Sequence, residues 1–190
     1  MFMIVLRKRF FARFVVTLFF FTAGMLTAQS AHAKSGSEID ASVDTALKRL
    51  EWEIKGARVL VKQAKGVLVL PKVIKGGIGI GGEYGEGALR INGKTADYYS
   101  TVGGSFGFQL GAQIKDIYLL FMEDSALAQF RQSDGWKAGV DGSVAIATIG
   151  ANGAVDTSVT NQPVIAFVIG QKGLMYNLTL EGSKFNKLDK

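Results

Sequence analysis

Between residues 76 and 87 the sequence reads GGIGIGGEYGEG, seven glycines in twelve positions, shortly after the apolar run Val67-Leu68-Val69-Leu70. Glycine weakens helices and strands by about 0.5–1 kcal/mol relative to alanine, so this density needs a compensating gain. Two arrangements supply one: a nucleotide-binding loop, where backbone closes on phosphate, or a curled antiparallel sheet, where backbone bends and packs on backbone. Gly77, Gly79 and Gly82 satisfy G-x-G-x-x-G, but the loop that cradles a dinucleotide opens a helix. Here Tyr84-Gly85-Glu86-Gly87 follows instead. Gly93-Lys94-Thr95 resembles the end of a P-loop, yet the first glycine of that motif would fall on Ala88. The sheet reading is therefore preferred, and no nucleotide is expected.

The first residues join a basic stretch (Arg7, Lys8, Arg9, Arg13) to an apolar segment over 14–26, followed by Ala31-His32-Ala33. That order predicts a secretory signal peptide over 1–33, cleaved after Ala33, and an exported domain over 34–190. The apolar segment is short of the ~20 residues a spanning helix needs. The chain carries 22 basic and 16 acidic residues, and four of the bases lie in the leader, leaving a net charge of +2 for the exported part. So nearly neutral a domain argues against nucleic acid as partner.

Cleavage removes His32, the sole histidine, and the sequence contains no cysteine. Disulfides, thiol or Ser-His nucleophiles and ordinary zinc or copper sites are thereby excluded, and no metal or cofactor is expected.

Ser35-Gly36-Ser37-Glu38 has the form of a capping box, and Ile39, Val43, Leu47, Leu50, Ile54, Ala57, Val61 and Ala64 recur at steps of three and four. This predicts one long amphipathic helix over 38–65, with acids at its start and bases at its end as the helix dipole favours. Beyond Gly66 the period becomes two, most clearly over 98–114, where the even positions are apolar and the odd ones small or polar. A straight strand of that length would overrun the domain, so a corner is expected at Gly103-Gly104. Further strands are predicted over 66–70, 77–84, 86–92, 116–122, 139–149, 163–170 and 174–181, with a hairpin turn at Asn92-Gly93. A short helix is expected over 125–132, capped by Asp124. Residues 117–122 and 164–169 are apolar without alternation, so both of their faces should be covered, the obvious cover being the long helix. The fold class expected is α+β: a curled, antiparallel, glycine-rich sheet or partial barrel packed by the amphipathic N-terminal helix.

Glu83 with Glu86, and Glu123 with Asp124, are the close carboxylate pairs in or beside the sheet, and either could serve hydrolysis without histidine. Acids at exposed turns are far commoner, so no enzymatic activity is expected. Trp136, between Asp134-Gly135 and Lys137, sits at a turn, where a tryptophan closes a core edge or anchors at a membrane interface. Charge is distributed unevenly. From Lys48 to Lys75 there are eight bases and two acids, leaving the rest of the exported chain at −4. A basic amphipathic helix beside a basic turn suits anionic headgroups, each base contributing up to ~1 kcal/mol near a negative membrane surface.

Residues 64–71 (AKGVLVLP), 81–89 (GGEYGEGAL), 103–122 (GGSFGFQLGAQIKDIYLLFM), Asp134-Gly135-Trp136 and 170–182 (GQKGLMYNLTLEG) resemble the SYLF domain across essentially the whole exported chain. The resemblance implies a lipid-binding, non-enzymatic module in which an N-terminal amphipathic helix takes part; fungal relatives also bind and bundle actin. Carried onto this sequence, it raises Arg58, Lys62, Lys65, Lys72 and Lys75 as lipid-binding candidates. Eukaryotic relatives, whose ligands are phosphoinositides, are cytosolic, and no appended SH3 or FYVE module is expected here. An exported, periplasmic or envelope-associated member would meet phosphatidylglycerol or cardiolipin instead. A protein-interaction role, on an actin-type filament or an envelope partner, is the alternative.

Overall fold

The computed structural model describes residues 34–148, 154–156, 159–170, 173–174, 180 and 182–190, with backbone alone at 77–80, 105–112 and 173–174. The expected signal peptide and most of the strand expected over 174–181 lie outside the described residues.

Helix α1, Gly36–Glu53, starts as the capping box dictates. The Glu38 amide donates to Ser35 Oγ at 3.3 Å, and the Ser35 amide donates to Glu38 Oε2 at 2.8 Å. The single helix expected over 38–65 does not form. α1 stops, Gly56 takes φ +93°, and a second helix α2 runs over Ala57–Gln63. Lys55 is drawn into a parallel bridge with Ala154, its carbonyl accepting the Val155 amide at 3.2 Å. Ile54, Ala57 and Leu60 are buried on either side of the break. The elbow thus keeps the apolar stripe on the core while the axis changes direction, which periodicity alone cannot register.

Two strands replace the series of short ones. β1, Gly66–Ile91, and β2, Lys94–Phe121, form one long antiparallel hairpin. Its turn is Asn92-Gly93, both residues at positive φ (51° and 75°) as a tight two-residue hairpin requires. Helix α3, Asp124–Gln132, follows, with Glu123 rather than Asp124 at the N-cap and no side-chain cap bond. Short strands β3 (Trp136–Lys137), β4 (Ala145–Ile146), β5 (Val164–Gly170), β6 (Gly173–Leu174) and β7 (Lys184–Leu188) complete a seven-stranded sheet. β5 pairs with the 115–121 end of β2 and β7 with its 98–102 end, both on the edge opposite β1. β4 runs parallel to β5, so the sheet is mixed rather than wholly antiparallel. The α+β class and the curled sheet agree with expectation; a long covering helix does not.

At Gly103-Gly104, where the corner is expected, the ladder keeps its register. Pairing continues unbroken through Gly82↔Gly104 and Glu83↔Gly103, and the register slips instead between Leu70/Val73, Gly77/Gly79 and Leu89/Arg90. The curl brings the start of β1 against its own later residues. A Cβ on Gly87 would lie 2.7 Å from Leu70 Cα and would overlap the Val69 carbonyl, and one on Gly85 would lie 2.6 Å from Val73 Cγ2. Backbone on backbone is what these two glycines make possible.

Two apolar clusters sandwich the sheet. One holds Ile39, Val43, Ala46 and Leu50 of α1 against Val67, Val69, Tyr118, Leu120, Ile165 and Phe167. The other holds Leu68, Leu70, Ile117, Leu119, Val164 and Ala166 against Phe130, Trp136 and Phe185. Alternate residues of β5 therefore enter opposite cores, as an unbroken apolar run predicts. The short α1 covers one face; α3 and the curled-back sheet cover the other. Trp136 is 2% exposed and stacks edge-on with Phe130 at 5.5 Å, which makes it a core residue and removes it as an interfacial anchor. All residues of both clusters lie between 39 and 185.

Candidate functional site

The sheet positions the predicted bases through two features, the elbow and a bulge. In the bulge, Pro71-Lys72 opposes the single residue Asp116, and Lys72 takes φ 55°. Its amide donates to Asp116 Oδ1 at 2.8 Å. Asp116 also holds α1 in place: Arg49 Nη1 lies 3.0 Å from Asp116 Oδ2, while Arg49 Nη2 donates to the Gly170 carbonyl at 2.7 Å and Nε to Glu53 at 2.8 Å. The hydrogen bond to Glu53, with Asp116 close by, holds the guanidinium above its ordinary value. Tyr118, whose hydroxyl donates to the Ala46 carbonyl at 2.9 Å, is pushed well up by burial. Arg49 and Asp116 are thus the residues that fix the helix over the sheet. Neither was singled out from sequence; the one available signal was a charged pair, Lys115-Asp116, set inside an apolar strand.

A cleft of about 700 Å³ opens beside this anchor, lined by Ala41, Thr45 and Arg49 of α1 and by Pro71, Lys72 and Ile114 of the sheet. A second, of about 350 Å³, lies on the other flank of α1, where Asp44 and Leu47 face Lys62, Ala64 and Arg90. Arg90 is engaged there by Asp44 at 2.7 Å and by Asp40 at 3.4 Å.

The five candidate bases fall into two groups. Arg58 and Lys62 stand exposed on α2, followed by Lys65 at the mouth of β1. Lys72 and Lys75 belong to the bulged part of β1, across α1 from Lys62. Arg58 pairs with Glu51 at 3.7 Å and Lys65 with Asp124 at 3.6 Å, both at the surface. Such contacts are worth roughly 0–1 kcal/mol and leave the cations available. Lys62, Lys72 and Lys75 make no ion pair among the described residues.

The close carboxylates do not assemble into a pair. Glu83 and Glu86 differ in parity along β1 and so leave it on opposite faces. Glu83 meets Lys115 at 2.7 Å and Ser183 at 3.3 Å, whereas Glu86 accepts from Tyr84 at 2.7 Å and approaches Lys190 at 3.6 Å. Burial and the Glu86 hydrogen bond push the Tyr84 phenol up to about 12. Among the described residues no helix is long and apolar enough to cross a membrane, and no three potential metal ligands cluster.

No curated protein matches the sequence. A family model does: residues 102–190 match Ysc84, described as "Las17-binding protein actin regulator". The matched segment holds β2 from its middle onward, α3 and every later strand, including the residues that carry the resemblance read from 103–122 and 170–182. The matched family, Ysc84, is the SYLF family that the sequence resembles, and the match spans residues 102–190.

Proposed function

We propose that this protein is a non-enzymatic module of the cell envelope that binds anionic phospholipid through Arg58, Lys62, Lys65, Lys72 and Lys75. One observation carries the reading: bases are gathered at the elbow and the bulge, and among the described residues those of the five that form ion pairs, Arg58 and Lys65, do so only at the surface. Phosphate headgroups would meet them at little desolvation cost, and the attraction would fade over a Debye length of about 8 Å at physiological salt. Export to the periplasm makes phosphatidylglycerol and cardiolipin the ligands available. The SYLF relationship supports a binding role in preference to catalysis.

Sedimentation of residues 34–190 with phosphatidylglycerol or cardiolipin vesicles, against phosphatidylcholine vesicles, tests this at low and high salt. Association with the anionic vesicles alone, lost at high salt and in Lys62→Glu/Lys65→Glu, is the expected result. Equal failure with both vesicle types overturns the reading. A second reading, a protein-interaction module on an actin-type filament, is favoured by the family's description as an actin regulator. Co-sedimentation with filaments in the absence of lipid would support it.

A further inference from the structure

Trp52 is 88% exposed, the most exposed of the large apolar side chains among the described residues. It stands one residue before the end of α1. Val59, 57% exposed, stands just inside α2 on the other side of the elbow. The Arg58–Glu51 contact at 3.7 Å crosses the elbow one residue before each of them, which brings the outer faces of the two helices together.

At about 3.6 residues per turn, Trp52 and Lys48 fall on the side of α1 opposite Ile39, Val43, Ala46 and Leu50. Those four are buried against the sheet. The apolar stripe that makes the helix amphipathic is therefore already used by the core. A helix that entered a bilayer by that stripe would have to break the Arg49–Asp116 contact and leave Tyr118 and the whole cluster beneath it.

We infer that the elbow meets the bilayer with its outer face: Trp52, supported by Val59, enters the interfacial layer while Lys48, Lys55, Arg58 and Lys62 around it hold phosphates, and α1 stays docked. Tryptophan is the residue that prefers this depth, where its ring is in an apolar layer and its N–H reaches water or headgroup oxygen. All four of these bases are exposed, Lys48 one turn before Trp52 on the same side of α1, while the acids that flank Trp52 are engaged, Glu51 by Arg58 and Glu53 by Arg49. This inference rests on the proposed lipid-binding role and specifies which side of the helix performs it.

The protein itself carries the probe. Trp52 is exposed and Trp136 is buried, so the emission of wild type minus that of Trp52→Phe isolates the elbow, and the Trp136 emission remaining in the variant reports an intact core. Residues 34–190, wild type and variants, are mixed with phosphatidylglycerol vesicles, and sedimentation, emission and acrylamide quenching are recorded. The expected result is a blue-shifted difference spectrum with reduced quenching, and at least a roughly tenfold loss of partitioning in Trp52→Ala, on the scale of withdrawing an aromatic of about 150–250 Å² from an apolar layer. If the wild type sediments with vesicles but either result fails, the inference is overturned and the electrostatic reading stands. If the wild type does not sediment with them at all, both fall.

Discussion

Lys115 Nζ lies 2.7 Å from Glu83 Oε2, with the two side chains 3% and 7% exposed. The pair joins β2 to β1 inside the curl, and Ser183 Oγ adds a hydrogen bond to Glu83 at 3.3 Å. Desolvating two charges roughly cancels their attraction, so the pair itself contributes little net stability, while either member alone is costly. Glu83→Ala is expected to destabilise by about 3–5 kcal/mol, and Glu83→Leu/Lys115→Met by far less. Urea unfolding of the single and double variants measures the difference.

Tyr99 offers a pH signature. Its hydroxyl is buried with no hydrogen-bond partner among the described residues, and burial, with Asp97 nearby, pushes the phenol up to about 12. The unfolded chain releases this proton near the ordinary value of about 10. The raised folded value therefore stabilises the protein fully below about pH 10, and that contribution is lost as pH rises toward 12. Tyr99→Phe should flatten the alkaline fall in stability. At neutral pH it should be neutral or stabilising by up to about 1 kcal/mol, because a stranded hydroxyl leaves the core. Thermal melts from pH 7 to pH 11 check both.

The glycines should divide by position. Gly87→Ala drives a methyl into the Val69–Leu70 backbone, where no side chain can move aside, and is expected to cost more than about 3 kcal/mol or to prevent folding. Among the described residues nothing lies within 4 Å of a Cβ added at Gly82 or Gly104. Alanine there should be tolerated, gaining about 0.4–1 kcal/mol from the less flexible unfolded chain. Circular dichroism and melting temperature of the three variants decide it.

Local signals in the sequence were read well and geometric ones poorly. The capping box at Ser35, the turn at Asn92-Gly93 and the double-sided burial of 164–169 each depend on a few adjacent residues, and each stands in the fold. The elbow at Gly56 was hidden because the apolar period continues across it, from Ile54 to Ala57 and Leu60. Glycine content marks where bending is tolerated, whereas the register slips depend on what faces each strand, as Asp116 faces Pro71-Lys72, and so were not legible. β7 was missed since KFNKL alternates weakly, and only its neighbours Trp136 and Tyr99 make a strand of it. Of the candidate site, the bases were evident from composition. Their division between elbow and bulge required the fold, whereas the service of the helix's apolar stripe to the core was already expected from the uncovered apolar strands.

The hairpin also imposes an order of assembly. Its rungs run from Ile91↔Lys94, beside the turn, to Gly66↔Phe121 at the open end. Zippering outward from the turn closes each new rung at a small additional entropic cost, whereas beginning at the open end would close the longest loop first. By that route the stretch from Val67 to Leu70, buried in both cores, is the last to be laid down. A nascent chain would hold its cationic elbow on an unfinished base until the final rungs lock.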